Sequence, residues 1–254
     1  MIGNANSITD RLIKDSGIVE GNRVLDVGCG SGEVSLLLAK VVGPKGEVVG
    51  IDCNEKALDV ARNRAKDEHI SNVSFLSADI SNPLTEIGIY DAVVARRVLM
   101  YVPDPHNVLR NISGVLKNNG IVAFQEIDST LSPGQKESLP LHEKVNKWIW
   151  DTIEKGGANI NMGFTLPSVL QESGFVVESI KAEANIQGQR SHTPLANVVR
   201  AILHRIVEFG VASKTEIDIE TLEQRLKDER SGSSVFISEL TFSIWARKHE
   251  LITD

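Results

Sequence analysis

The residues with the clearest chemical purpose form one short run, Val24-Leu25-Asp26-Val27-Gly28-Cys29-Gly30-Ser31-Gly32. Three alternate glycines let a backbone turn sharply and admit a ligand where a Cβ would otherwise stand. The run lies between a strand-like stretch at 23–28 and a helical pattern at 33–42. The helix would therefore open towards the ligand with its unpaired N–H groups and the positive end of its dipole. A dinucleotide site uses such a turn for pyrophosphate, usually with G-x-G-x-x-G spacing. Here the spacing is G-x-G-x-G, and Asp26 stands two residues before the first glycine. That carboxylate is ill suited to a diphosphate and compatible with a ligand bearing an ammonium group. It either meets the ligand or orients the loop through backbone N–H groups.

Two more carboxylates end strand-like runs. Asp52 closes 47–52 (EVVGID), and Asp79 follows 72–76 (NVSFL). Between them Asn54 is placed to cap a helix through about 68, with Ala57, Leu58, Ala61 and Ala65 as its apolar stripe. A fourth strand is expected at 91–95 (DAVVA). Asp104-Pro105 then starts a helix, with Asp as N-cap and Pro at the first helical position. Val108, Leu109, Ile112, Val115 and Leu116 point that helix inward, Asn119-Gly120 ends it, and 121–127 (IVAFQEI) is a fifth strand. Apolar strands alternating with helices imply a parallel sheet covered on both faces.

At this point a resemblance becomes specific. LDVGCGSG resembles the first motif of the class I S-adenosylmethionine-dependent methyltransferases. The resemblance implies that Gly28, Gly30 and Ser31 lie against the cofactor, with Asp26 beside them. It implies that Asp52 holds the ribose hydroxyls, with Cys53 next to it, and that Asp79 and Ile80 hold the adenine. Residues 90–97 (YDAVVARR) match the fourth strand and the turn beneath the methionine moiety. Four segments agree in order and spacing over roughly residues 20–128. Residues 96–105 (RRVLMYVPDP) and 123–128 (AFQEID) are similar to bacterial small-molecule methyltransferases related to quinone-biosynthesis enzymes. In such proteins the arginine after the fourth strand approaches the cofactor, which here implies Arg96. The expected fold is α/β and Rossmann-like, with a mostly parallel seven-stranded sheet, helices on both faces and an antiparallel last strand.

After Asp128 the alternation stops. Helical stretches at 141–155, about 167–173, 195–209 and 219–228, and strand-like ones at 175–182 and 235–247, follow in order. They are read as one domain. Its core covers about 20–128, 165–187 and 233–248, and lid segments at about 129–164 and 188–232 cover the sheet's C-terminal edge, where open α/β sheets bind ligands.

Transfer from a sulfonium is an in-line displacement, so alignment of the acceptor supplies ~7–11 kcal/mol in well-oriented cases. A dry pocket helps, and a hydroxyl or carbon acid also needs a base. Glu126, at the end of the fifth strand, and His142, on the first lid helix, are the catalytic candidates. Tyr101 and Trp148 are the candidates for substrate contact, and His192 is a weaker base candidate. Arg11, on an N-terminal helix, is a candidate partner for the methionine carboxylate.

Composition narrows the partners. The 254 residues carry a formal charge of −7 and no long basic run, which disfavours nucleic acid. Only two cysteines occur, without ligand spacing, so neither a disulfide framework nor a metal site is expected. Residues 1–10 lack a signal-peptide pattern, and no apolar run reaches the ~18–20 residues of a membrane span. The reading is a cytoplasmic enzyme that methylates a small molecule on O, N or C, releases S-adenosylhomocysteine and is free to form a homodimer. Its rivals are a non-catalytic S-adenosylmethionine-binding protein and a nicotinamide-dependent oxidoreductase.

Overall fold

A computed structural model describes residues 4–130, 138–187, 195–230 and 235–249. In chain order the first half holds α1 (Asn4–Asp15), β1 (Arg23–Val27), α2 (Glu33–Val42), β2 (Glu47–Asp52), α3 (Glu55–Asp67), β3 (Val73–Ser77), β4 (Tyr90–Arg96) and α4 (Pro105–Gly114). The second half holds β5 (Leu116–Asp128), α5 (Pro140–Lys155), α6 (Met162–Glu172), β6 (Phe175–Gln187), α7 (Leu195–Glu208), α8 (Lys214–Ile217), α9 (Ile219–Glu229) and β7 (Phe236–Lys248). A 3-10 turn, Leu99–Tyr101, lies between β4 and α4.

The strands form one sheet in the order β3-β2-β1-β4-β5-β7-β6. The pairs from β3 through to β5 are parallel, and β7 runs antiparallel to both β5 and β6. The strand order reverses between β1 and β4, which opens a crevice at their C-terminal ends. The predicted fold and its antiparallel last strand are therefore present.

Period-two alternation explains how both faces are covered. In β1, Leu25 and Val27 join one core with Leu109 and Ile112 of α4 and Leu166 and Leu170 of α6. Val24 points the other way, into a second core with Leu12 and Ile13 of α1 and Leu38 and Val42 of α2. Asp26 shares the parity of Val24, so its carboxyl is aimed at α2. Neighbouring β4 repeats the pattern, with Val93 and Ala95 in the first core and Ala92 and Val94 in the second. The caps read from sequence are also in place: Asn54 accepts the Ala57 N–H, and Asp104 accepts the Asn107 N–H ahead of Pro105.

Helices α5, α7, α8 and α9 build a separate apolar cluster, with Val145, Trp148, Ile149, Val199, Leu222 and Leu226 at its centre. Glu229 of α9 fastens it. Its carboxylate accepts the N–H groups of Leu141 and His142 in the first turn of α5, at 2.6 and 2.9 Å, and meets His142 Nδ1 at 2.7 Å. An anion there also suits the positive end of the α5 dipole.

Three expectations need correction. The helix after Asp104 stops at Gly114, and Leu116 already pairs with Tyr90 as the first residue of β5. Both routes bury Leu116, and the Tyr90 N–H to Val115 carbonyl bond, at 2.8 Å, favours the sheet. Helix α6 begins at Met162 and runs through Pro167 instead of starting there. Its first turn is fixed by the Asn161 carbonyl, which accepts the Thr165 N–H at 3.2 Å, and Gly163 lets it press on Phe242, where a Cβ would come within 2.4 Å. β6 extends to Gln187, because β7 continues to pair with it as far as Phe236. Among the described residues, no helix is long and apolar enough to cross a membrane.

Candidate functional site

The glycine loop leaves β1 with Gly28, Gly30 and Gly32 all at positive φ: 65°, 51° and 80°. Each faces something different. A Cβ on Gly28 would stand 2.5 Å from Val98 Cγ2, and one on Gly32 would stand 2.9 Å from the Ala61 Cβ. Around Gly30 a Cβ would meet nothing within 4 Å. Gly28 and Gly32 are thus required by close packing of the loop on its neighbours, and Gly30 faces the open side of the crevice.

Asp52 ties this loop to β2. One carboxylate oxygen accepts the Gly30 N–H at 2.9 Å, and the other accepts the Asn54 N–H at 2.8 Å. The Ile51 carbonyl accepts the Cys29 N–H at 2.9 Å, so the loop is pinned at two successive points. Asp52 is half-buried and Cys53 exposed, and each carboxylate oxygen keeps acceptor capacity beyond its one backbone N–H. Cys29 is buried, and burial followed by the nearby Asp26 and Asp52 carboxylates pushes its thiol pKa upward. It is a packing residue and no nucleophile.

Asp26 is only 1% exposed and accepts a hydrogen bond from Ser35 Oγ of α2. Burial raises its pKa to about 7, against the lowering pull of Ser35 and Arg96. Of its two expected roles, the geometry fits orientation of the loop and α2. Asp79 lies exposed after β3 and turns the chain by accepting the Ser81 N–H at 2.8 Å. Ile80 packs partly on the main core, and its carbonyl accepts Asn111 Nδ2 at 3.0 Å.

Arg96 ends β4 and forms an ion pair with Glu33, the first residue of α2. It also donates to Thr9 Oγ1 at 3.4 Å, and Thr9 donates to Gln125 Oε1 at 2.8 Å. The structure therefore brings Gly28, Gly30, Ser31, Asp52, Cys53, Asp79, Ile80 and Arg96 together at the C-terminal ends of β1 to β4. It does not bring Arg11 there. Arg11 pairs with Glu183 of β6, in a cleft between α1 and the β6/β7 edge.

Glu126 is completely buried at the end of β5. Its Oε1 accepts the N–H groups of Val98 and Leu99 at 2.9 and 2.7 Å, capping the 3-10 turn after β4. Its Oε2 has no hydrogen-bond partner among the described residues. Burial raises its pKa to about 7, although those backbone bonds and the Arg97 charge act in the opposite direction. Tyr101 is 55% exposed and lines a cavity beside that turn. The tryptophan on that cavity is Trp150; Trp148 lies in the helical cluster with Lys144 over its ring. His142 is buried against Glu229 and does not line the cavity. His192 lies outside the described residues.

Sequence reading missed Glu33, Thr9, Ser35 and Arg97. Glu33 and Ser35 had a signal: both open the helix that follows the glycine loop. Arg97 had none, because its left-handed backbone (φ 57°) belongs to glycine-like positions. Its N–H is donated to the Gln125 carbonyl at 2.8 Å, so the β4/β5 pairing continues up to the bend.

These residues fit S-adenosylmethionine. The crevice is open over Gly30, Asp52 keeps acceptors for a diol, and Arg96 supplies a cation at the turn. Comparison with known proteins agrees. The profile of a family described as "Methyltransferase domain" matches residues 18–197. Demethylmenaquinone methyltransferase from Staphylococcus aureus is 30% identical over 177 residues, 65% of this chain and 73% of that protein. The structure of a geranyl diphosphate methyltransferase in complex with S-adenosylmethionine superposes with a TM-score of 0.60 at 17% identity, over 95% of this chain and 84% of that one. A cyclase, SpnF, superposes with a TM-score of 0.62 at 21% identity, over 96% and 82%. The last two likenesses speak for the fold alone. With the profile and the S. aureus relative in agreement, the chain belongs to the methyltransferase-domain family and is an S-adenosylmethionine-dependent methyltransferase.

Proposed function

We propose that this chain transfers the methyl group of S-adenosylmethionine to a small-molecule acceptor and releases S-adenosylhomocysteine. The observation that carries the reading is the Asp52–Gly30 tie: the loop that would cradle the cofactor is held by the carboxylate that would receive its ribose. In this reading Gly28, Gly30 and Ser31 face the methionine half and Asp52 with Cys53 the ribose. Asp79 and Ile80 flank the adenine, and Arg96, already countered by Glu33, faces the carboxylate end. Asp26 acts through Ser35 as a positioning residue. Helices α5 and α7 to α9 form the cover over the C-terminal edge of a single domain.

A small acceptor is supported by the cavity beside Tyr101 and by the net charge of −7, which gives phosphate backbones little to hold. The S. aureus relatives are named for demethylmenaquinone, which makes that compound the first acceptor to try. The test has two stages. Titration calorimetry should show S-adenosylmethionine binding to the unmutated protein; no binding would sink the reading. Incubation with methyl-labelled cofactor and an acceptor panel headed by demethylmenaquinone should then yield labelled product. Tight binding with no transfer to any acceptor would favour a non-catalytic role.

A further inference from the structure

We propose that the cavity beyond the β4 turn is the acceptor site, and that it selects an uncharged hydroxyl-bearing ring compound over an anionic one. The inference rests on the methyl-transfer reading above.

The cavity has a volume of about 260 Å³. A dry apolar cavity of ~150 Å³ holds benzene, so this one has room for a ring with a short chain or a second ring. Its body is apolar: Ile127 from the end of β5, Ile149, Trp150 and Ile153 from α5, and Leu195 and Val198 from α7. Its polar groups are Arg97, Glu239, Tyr101 and Asn146. An apolar body with a few convergent polar groups is the usual form of a small-molecule site.

The position connects it to the methyl donor. Arg97 follows Arg96 directly, and the turn that carries Tyr101 rests through Val98 on Gly28 of the cofactor loop. Cofactor loop and cavity therefore share one turn as their common wall. Glu126 holds that turn from beneath by accepting the Val98 and Leu99 N–H groups.

The polar groups set the ligand's charge. Arg97 pairs with Glu239 at 3.2 Å, and Glu239 also accepts Asn185 Nδ2 at 2.9 Å. The pair is neutral as a unit and offers both a donor and an acceptor. A phenol or alcohol can donate to the Glu239 carboxylate and accept from the Arg97 guanidinium. A carboxylate can reach Arg97 only with the Glu239 charge close beside it, and like charges repel. Asn146 spends one amide N–H on the His142 carbonyl at 3.0 Å and keeps its second N–H and its side-chain oxygen, so it can meet a hydroxyl in either sense.

The test uses 4-propylphenol, propylbenzene and 4-propylbenzoate, with binding followed by ligand-observed NMR in the presence of S-adenosylhomocysteine. In the unmutated protein the phenol should bind at least tenfold more tightly than the benzoate and more tightly than propylbenzene. Val198→Trp, at a half-buried position, should abolish binding of all three by filling the cavity. Glu239→Gln should weaken the phenol and strengthen the benzoate, because Arg97 then stands uncompensated; a merely structural role would not invert that order. The proposal is overturned if none of the three binds, if benzoate matches phenol, or if Val198→Trp leaves binding intact. Cofactor affinity, measured in parallel by calorimetry, separates the two claims. Its retention with no probe binding removes the acceptor site alone, and its absence removes the methyl-transfer reading.

Discussion

Asp52 and Gly30 are joined across the crevice by a 2.9 Å hydrogen bond, from the loop's N–H to the carboxylate at the end of β2. Asp52 ends β2, and Gly30 lies in the loop that leaves the neighbouring parallel strand β1, whose register sets Val27 against Ile51. One side chain therefore fixes the shape of the glycine loop and presents the acceptor for a diol ligand. Loop order and ligand affinity are coupled through it: a change at Asp52 acts on both.

Asp52→Ala removes an ionised acceptor from two backbone N–H groups and from the ribose. Hydrogen bonds to charged groups contribute about 1.5–3 kcal/mol each. S-adenosylmethionine affinity is expected to fall about 10- to 150-fold if one such ligand bond is lost, since 1.4 kcal/mol is a factor of about ten. Amide exchange at Gly30 should quicken in the absence of cofactor. Asp52→Asn, which keeps one acceptor oxygen, should fall between the unmutated protein and Asp52→Ala. Calorimetric affinity of Asp52→Ala equal to that of the unmutated protein would reduce Asp52 to a loop tie.

Two glycine substitutions should separate packing from binding. Gly28→Ala places a Cβ 2.5 Å from Val98 Cγ2 at a φ of +65°. Left-handed strain of ~1–2 kcal/mol and overpacking of ~1–3 kcal/mol predict a loss of about 2–5 kcal/mol in folding stability. Adding Val98→Ala should restore part of it. Gly30→Ala meets no neighbour within 4 Å, so only the strain remains. That variant should fold nearly normally and bind S-adenosylmethionine at least tenfold more weakly. Denaturant unfolding and calorimetry on the same samples give both numbers, and equal losses on both scales for the two variants would contradict the assignment.

The core was legible where local and global signals agreed. The glycine loop, Asn54 and Asp104-Pro105 state their geometry in their own side chains, and β1 to β5 follow from apolar runs between them. Legibility ended where a tertiary contact decided. Leu116 is apolar in either a helix or a strand, and only pairing with Tyr90 chooses the strand. Pro167 looks like a helix start, yet the Asn161 carbonyl and the fit of Gly163 on Phe242 start the helix five residues earlier. At the candidate site, Asp52 and Asp79 stand out at the ends of strand-like runs, and the resemblance to methyltransferases is what points to them and to Arg96 as cofactor residues. Arg97–Glu239 and His142–Glu229 join residues 142 and 87 positions apart, and no sequence period encodes such pairs. Trp148 and Trp150 were indistinguishable by type, and only the rotation of α5 sends one to the helical cluster and the other to the cavity.

Glu229 should hold the helical cluster without touching the cofactor. It serves two N–H groups of α5 and the His142 ring at once. Glu229→Ala leaves those donors without their acceptor, and at about 1–3 kcal/mol for each unsatisfied buried group the expected loss is several kcal/mol. Protection of α5 amides from hydrogen exchange should fall accordingly, with S-adenosylmethionine affinity unchanged. If cofactor affinity fell with it, the cluster and the glycine loop would be a single cooperative unit.

The two buried carboxyls predict how stability varies with pH. Asp26 rises from 3.8 to about 7 and Glu126 from 4.5 to about 7, in both cases mainly through burial. Between about pH 4 and 7 the folded chain therefore retains protons that the unfolded chain has released. Unfolding free energy must fall as pH rises through that window, since its slope follows the difference in bound protons. A tenfold change in acidity corresponds to about 1.4 kcal/mol, so the upper bounds are about 4 kcal/mol for Asp26 and about 3 kcal/mol for Glu126. The stability these groups contribute is complete below about pH 4 and lost above about pH 7. Urea unfolding at pH 5 and pH 8 should accordingly show the protein less stable at pH 8 by a few kcal/mol. Asp26→Asn and Glu126→Gln should each flatten the profile, because a neutral amide has no proton to release. In Glu126→Gln the amide oxygen can still accept the Val98 and Leu99 N–H groups, so the turn should stay intact and S-adenosylmethionine binding should remain in place. An unchanged slope in both variants would show that other groups set the pH dependence and that these two carboxyls are ionised throughout.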